Sequence, residues 1–181
     1  MNESSTTIFV GNVDDLVWIR IDGRATFTQS PFVRKIVERS LVGGRSHFII
    51  DLAACPMMDS TFMGSLTALS GQLKRRIPPG SLLIVNPGAR NLELLAGLGL
   101  DEILDIDAEG TLHINARLKA GQALSLAMED DGTGAYDQAW HVLEAHEALG
   151  KANEANKARF KDVITFLREE LRLDPPADTD S

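Results

Sequence analysis

The stretch that most constrains this chain is Phe48 to Gly64, reading FIIDLAACPMMDSTFMG. Phe48-Ile49-Ile50-Asp51-Leu52 is a short β-favouring apolar run of the kind that suits a fully buried strand. A loop with Cys55 and Pro56 follows, and Met57-Met58 leads into Asp59-Ser60-Thr61. Those three side chains are helix-start residues, because their short polar groups accept hydrogen bonds from the unpaired N–H groups of a first turn. Leu66, Leu69, Leu73 and Ile77 continue at spacings of three and four, an apolar stripe on one helix face. The unit is strand, loop, acidic-hydroxyl corner, helix. A hydroxyl at such a corner sits where a phosphate is favoured by free N–H groups and the helix dipole.

The flanking chain supplies the rest of an α/β sheet. Thr7 to Val10 and Leu16 to Ile21 read as a hairpin turning through Asn12-Val13-Asp14-Asp15. Ser30-Pro31 opens a helix whose apolar positions Phe32, Val33, Ile36, Val37 and Leu41 share a face, and Gly43-Gly44 ends it. After the central unit, Pro78-Pro79-Gly80 stops the helix. Ser81 to Val85 is another buried strand, a helix carries Leu92, Leu95 and Leu98, and Glu102 to Ile106 reads as an edge strand. The order β-β-α-β-α-β-α-β predicts a mixed sheet with parallel crossovers and helices mainly on one face. Thr111 to Met128 suits either strand or helix. Glu129 to Gly134 is a linker, and two amphipathic helices over 135–149 and 153–172 predict a helical hairpin. The domain plan is 1–108 for the α/β domain, 109–134 as a connecting segment, 135–173 as the hairpin and 174–181 as a disordered tail.

Charge and composition exclude several classes. The net charge is −8. Ten Lys and Arg stand against twelve Asp and Glu through Ala108, and eight against fourteen after it, so the acidity is concentrated in the C-terminal part. Neither part has the basic surplus that binding a phosphate backbone needs, which argues against nucleic acid as a partner. Apolar runs fall far short of the roughly 18 residues of a membrane span, and MNESSTTIFVG lacks the regions of a signal peptide. A cytoplasmic protein with no membrane partner is expected. The single cysteine, Cys55, rules out an internal disulfide and reads as a packed loop residue, with no neighbouring cation to activate it. His141 and His146 are five apart, off the i, i+4 spacing of zinc helices, and His47 and His113 are isolated, so no metal and no cofactor are expected. Lys74-Arg75-Arg76 falls in the last turn of its helix, where cations suit the dipole. Trp18 and Trp140 read as core or interface residues.

No catalytic residue emerges either. A serine hydrolase needs a glycine-flanked elbow and a base held near the serine, and Asp59-Ser60-Thr61 has neither in sequence.

A strand ending in Asp51-Leu52, a short loop, Met58-Asp59-Ser60-Thr61 and Gly64 together resemble the STAS domain, over roughly the first hundred residues. The family includes the anti-sigma factor antagonists of bacterial partner-switching systems. The resemblance implies a non-enzymatic signalling protein. It would bind an anti-sigma factor that is a serine kinase, be phosphorylated on Ser60, and be reset by a serine phosphatase. It also implies a partner-binding corner made of Asp59, Ser60, Thr61, Phe62 and Met63. On local sequence alone, Ser60 or Asp59 as a plain helix cap is the simpler reading; the order of elements and the resemblance turn it towards a switch. The alternatives are a scaffold or oligomerisation module, including a homodimer through the C-terminal helices, and a small-ligand sensor. One departure stands out: the family usually has a small residue where this chain has Phe62. That ring either tucks against Met58 and Leu66 or stands in the docking surface, and the outward placement is the expectation here.

Overall fold

The computed structural model describes residues 6–126 and 135–172; the expected Glu129–Gly134 linker and the tail at 174–181 lie outside them. The first strand β1 (Thr7–Val13) pairs antiparallel with β2 (Leu16–Asp22), with Val13 opposite Leu16. The turn is therefore only Asp14-Asp15, shorter than the four residues expected, and Asp14 takes the left-handed conformation at φ 55° that such a turn requires. Helix α1 (Ser30–Val42), β3 (His47–Asp51), α2 (Ser60–Lys74), β4 (Ser81–Val85), α3 (Ala89–Gly97) and β5 (Asp105–Asp107) follow. The last of these starts three residues later than expected, because Leu100–Leu104 is held in turns by Ile103 and Leu104 N–H groups donating to the Leu100 carbonyl.

Strands β2 to β5 run parallel, and the full order is β5-β4-β3-β2-β1-β6, where β6 is the two-residue strand Ser125–Leu126. Alternation divides each strand between two faces. Val17, Ile19, Ile21, Phe48, Ile50, Leu82 and Ile84 point into the main core with α1, α2 and α3. Trp18, Ile49 and Val85 point to the opposite face. That second face explains the ambiguous stretch after Ala108, which contains both a helix and a strand. Helix α4 (Ile114–Ala123) lays Ala116 and Ala120 over Trp18, Ile49 and Val85, and β6 (Ser125–Leu126) pairs antiparallel with β1. Gly11 eases this close approach: a Cβ there would lie 3.2 Å from the Ala123 carbonyl carbon. Residues 109–126 are thus sheet and cover as well as connection.

Helices α5 (Ala135–Ala152) and α6 (Glu154–Glu170) form the expected hairpin. Asn153 caps α6 by accepting from Asn156 N–H at 2.8 Å. The side-chain amides of Asn153 and Asn156 both donate to the Leu98 carbonyl, at 2.9 and 2.8 Å, pinning the hairpin tip to the end of α3. The hairpin has a small cluster of its own, Leu143, Leu167 and Leu171, but Leu149 and Phe160 belong to the main core.

A chain of residues 1–128 is expected to unfold cooperatively at a lower midpoint than the full chain. Losing the cover of Leu149 and Phe160 removes about 1.5–3 kcal/mol for each side chain. Urea denaturation of the shortened chain checks this; a molten, non-cooperative fragment would show that the hairpin completes the core.

Candidate functional site

Parallel strands bring their C-terminal ends to one edge, and the N-termini of the following helices gather there. Asp59 organises this edge. It precedes α2 in extended conformation (φ −92°, ψ 172°), and its Oδ1 accepts from Phe62 N–H at 2.8 Å, which makes it the N-cap. Its Oδ2 accepts from Phe27 N–H, also at 2.8 Å, and Asp59 N–H donates to the Ala25 carbonyl at 3.0 Å. One carboxylate therefore both starts α2 and ties it to the loop before α1.

Because Asp59 does the capping, the Ser60 hydroxyl is left out of the cap. It is half-buried and lies 3.4 Å from His146 Nε2 on α5. His146 is itself buried, with Nδ1 2.8 Å from the Val142 carbonyl and its ring edge-on to Phe160. A backbone carbonyl can only accept, so Nδ1–H donates to Val142, and in the neutral imidazole Nε2 is then the acceptor that faces the serine hydroxyl. His146 is the residue of this site that sequence reasoning missed. It is 86 positions from Ser60 and unrelated to it by any local spacing.

The expected corner does not stand open as a whole. Asp59 and Ser60 keep partial exposure, while Thr61, Phe62 and Met63 are buried. Phe62 is 0% exposed, which overturns its expected outward placement. The reason is helical phase. At 100° per residue, Phe62 falls within about 40° of Leu66, Leu69 and Leu73, the stripe that faces the sheet. Ser60 lies about 200° round from Phe62, in line with Gly64, Thr67 and Gly71, and at Gly64 this stripe lies directly against α5. A Cβ on Gly64 would come 2.2 Å from the Ala145 carbonyl oxygen, so glycine is what lets the two backbones meet. Farther along, α2 and α5 diverge into an open groove of about 520 Å³ between Thr67, Gly71, Arg75, Glu147 and Lys151. The groove lies towards the far end of α2 from Ser60.

On the other sheet face, Asp51 is buried and accepts from Trp18 Nε1–H (3.2 Å), Ala53 N–H (3.1 Å) and Asn86 Nδ2–H (3.1 Å). These bonds satisfy the charge and tie the end of β3 to β2 and to the residue after β4, a structural role. Burial pushes the Cys55 thiol above its ordinary range, in keeping with a packed loop residue. Burial, and then Arg34, lower the His141 pKa. Among the described residues no group of three or more His, Cys, Asp or Glu could hold a metal ion, and no helix is long and apolar enough to cross a membrane. Trp18 is core, whereas Trp140 is 44% exposed.

Two substitutions separate the roles at this edge. Asp59→Ala should cost about 0.5–2 kcal/mol in urea denaturation through loss of the cap, with Asp59→Asn milder because it keeps an acceptor. Phe62→Ala should cost about 3–5 kcal/mol as a core truncation; a change below about 1 kcal/mol would place the ring outside the core.

The model of the STAS domain matches residues 9–115. Among solved structures, the chain is similar to an anti-sigma factor antagonist from Mycobacterium paratuberculosis. The TM-score is 0.52 at 19% identity, over 64% of this chain and 93% of that one. It is also similar to a candidate anti-sigma factor antagonist from Thermotoga maritima, with TM-score 0.50 and 19% identity over 62% of this chain and 92% of the other. No curated protein sequence matches the chain. With the family model spanning 9–115, more than half of its length, and the sheet and helices in the order described, the chain belongs to the STAS domain family.

Proposed function

We propose that this is a non-enzymatic cytoplasmic signalling protein of the anti-sigma factor antagonist type, switched by phosphorylation of Ser60. Its partners are an anti-sigma factor serine kinase, which it binds and which modifies it, and a serine phosphatase, which resets it. ATP and magnesium belong to the kinase.

The observation that carries this reading is the state of the Ser60 hydroxyl. It sits in the first turn of α2, unspent by capping because Asp59 fills that role, and half-exposed at the edge where the strand ends converge. A phosphoserine brings about −1.5 to −2 charges at neutral pH. At a helix N-terminus that charge is tolerated by the dipole, yet here it would stand beside the Asp59 carboxylate and alter whatever surface a partner reads. A second reading, an oligomerisation module, is favoured by one feature: Trp140 and Phe166 of the hairpin are 44% and 62% exposed. A homodimer through these helices is compatible with the switch.

Phosphopeptide analysis of the protein from its native cell should place a single phosphate on Ser60. Ser60→Ala should keep partner binding and resist inactivation, while Ser60→Asp should weaken binding with little loss of stability. A phosphate on another residue, or Ser60→Asp binding as tightly as the wild type, would remove this reading.

A further inference from the structure

The Ser60 edge of α2 is occupied by the chain itself. Ala145 lies against Gly64, His146 lies against Ser60, and Glu144 pairs with Arg34 of α1 at the rim. The face of α2 under α5 is unlike the face that meets the sheet. Ser60, Gly64, Thr67 and Gly71 are small or hydroxylated, so α2 without this cover would show water a surface it tolerates. The hairpin keeps a cluster of its own, Leu143, Leu167 and Leu171, when it moves, while Leu149 and Phe160 near its tip pack in the main core and set the cost of lifting it. The contact is close near Gly64 and opens into the groove beyond Thr67. There is also a steric conflict. A 3.4 Å hydrogen bond between Ser60 Oγ and His146 Nε2 leaves no space for a phosphoryl group along that line.

We propose that the α5–α6 hairpin is a displaceable internal cover on the Ser60 side of α2, competing for it with any kinase or protein partner. Lifting α5 opens the His146 side of the part-exposed Ser60 to a kinase, and a phosphate on that side holds α5 away. Its regulatory meaning rests on the reading of Ser60 as the switch, but the cover itself can be measured without a kinase.

The experiment uses the full chain with Cys55→Ala to remove the native thiol and Ser60→Cys to report access, with iodoacetamide as the probe. Val42→Cys, at a position 92% exposed, gives the open reference. The thiol introduced by Ser60→Cys should be alkylated at least about tenfold more slowly than this reference, corresponding to a protective opening step of about 1.4 kcal/mol or more. The urea dependence of that rate should be weaker than that of global unfolding. Gly64→Ala, which forces α5 off by its Cβ, should bring the rate close to the reference while the amides of β2, β3 and β4 stay protected from hydrogen exchange. If Gly64→Ala disrupts the whole fold, Glu144→Lys sets a like charge against Arg34 at the rim and should give the same acceleration. Alkylation of the introduced thiol as fast as the reference in the otherwise native chain would show that the hairpin covers nothing. A rate tracking global unfolding would show a fixed helix rather than a displaceable one. Either result overturns the proposal, whereas finding no phosphate on Ser60 in the cell would remove the switch reading and leave the labelling result standing.

Discussion

Strand β3 is buried from Phe48 to Asp51, and this two-sided burial sets the demands on the rest of the structure. A parallel strand flanked by β2 and β4 has its backbone bonds satisfied within the sheet, but both of its side-chain faces must be kept from water. Phe48 and Ile50 are covered by the helices of the main core. Ile49 needs a second layer, which α4 supplies through Ala116 and Ala120 together with Trp18 and Val85. This accounts for the stretch after residue 108: without it one face of the central strand would be open.

The same strand delivers the chain to the candidate site. After Asp51 the loop returns through Cys55 to Met58, which bridges to Ala25, and Asp59 then serves two donors with one carboxylate. Such an arrangement is stiff, since loss of either bond would leave a backbone N–H without its partner. The stiffness matters for Ser60. On the proposed reading Ser60 is presented to a partner, and such a side chain is best placed on an element whose start is held by its neighbour, here Asp59.

The hairpin gives this STAS domain a feature with consequences for that presentation. Gly64 brings the α2 and α5 backbones into contact, and Asn153 and Asn156 fasten the tip to the Leu98 carbonyl. The tip and the seam differ in kind. At the tip, two amides satisfy a helix-end carbonyl, whereas at the seam the α2 surface is small and hydroxylated. The proposed displacement of α5 would use that contrast, with the tip held and the seam opening.

Much of this was legible in the amino-acid order. Periodicity and turn residues determined the strands and helices through β5, because those signals are local: alternation for strands, three-and-four spacing for helices, proline and glycine between them. The acidic-hydroxyl corner and its place before α2 were legible for the same reason. The burial of Phe62 was also present in its phase with Leu66, Leu69 and Leu73, although the smaller residue usual at that place pointed the other way. What only the tertiary structure decided is what covers what. The residues 109–126 carry little amphipathic signal because α4 meets the sheet through two alanines, so their apolar pattern did not separate strand from helix. The pairing of Ser60 with His146 joins positions 86 apart. No local spacing encodes it, since it depends on how closely α5 approaches α2, an approach that the absence of a side chain at Gly64 permits.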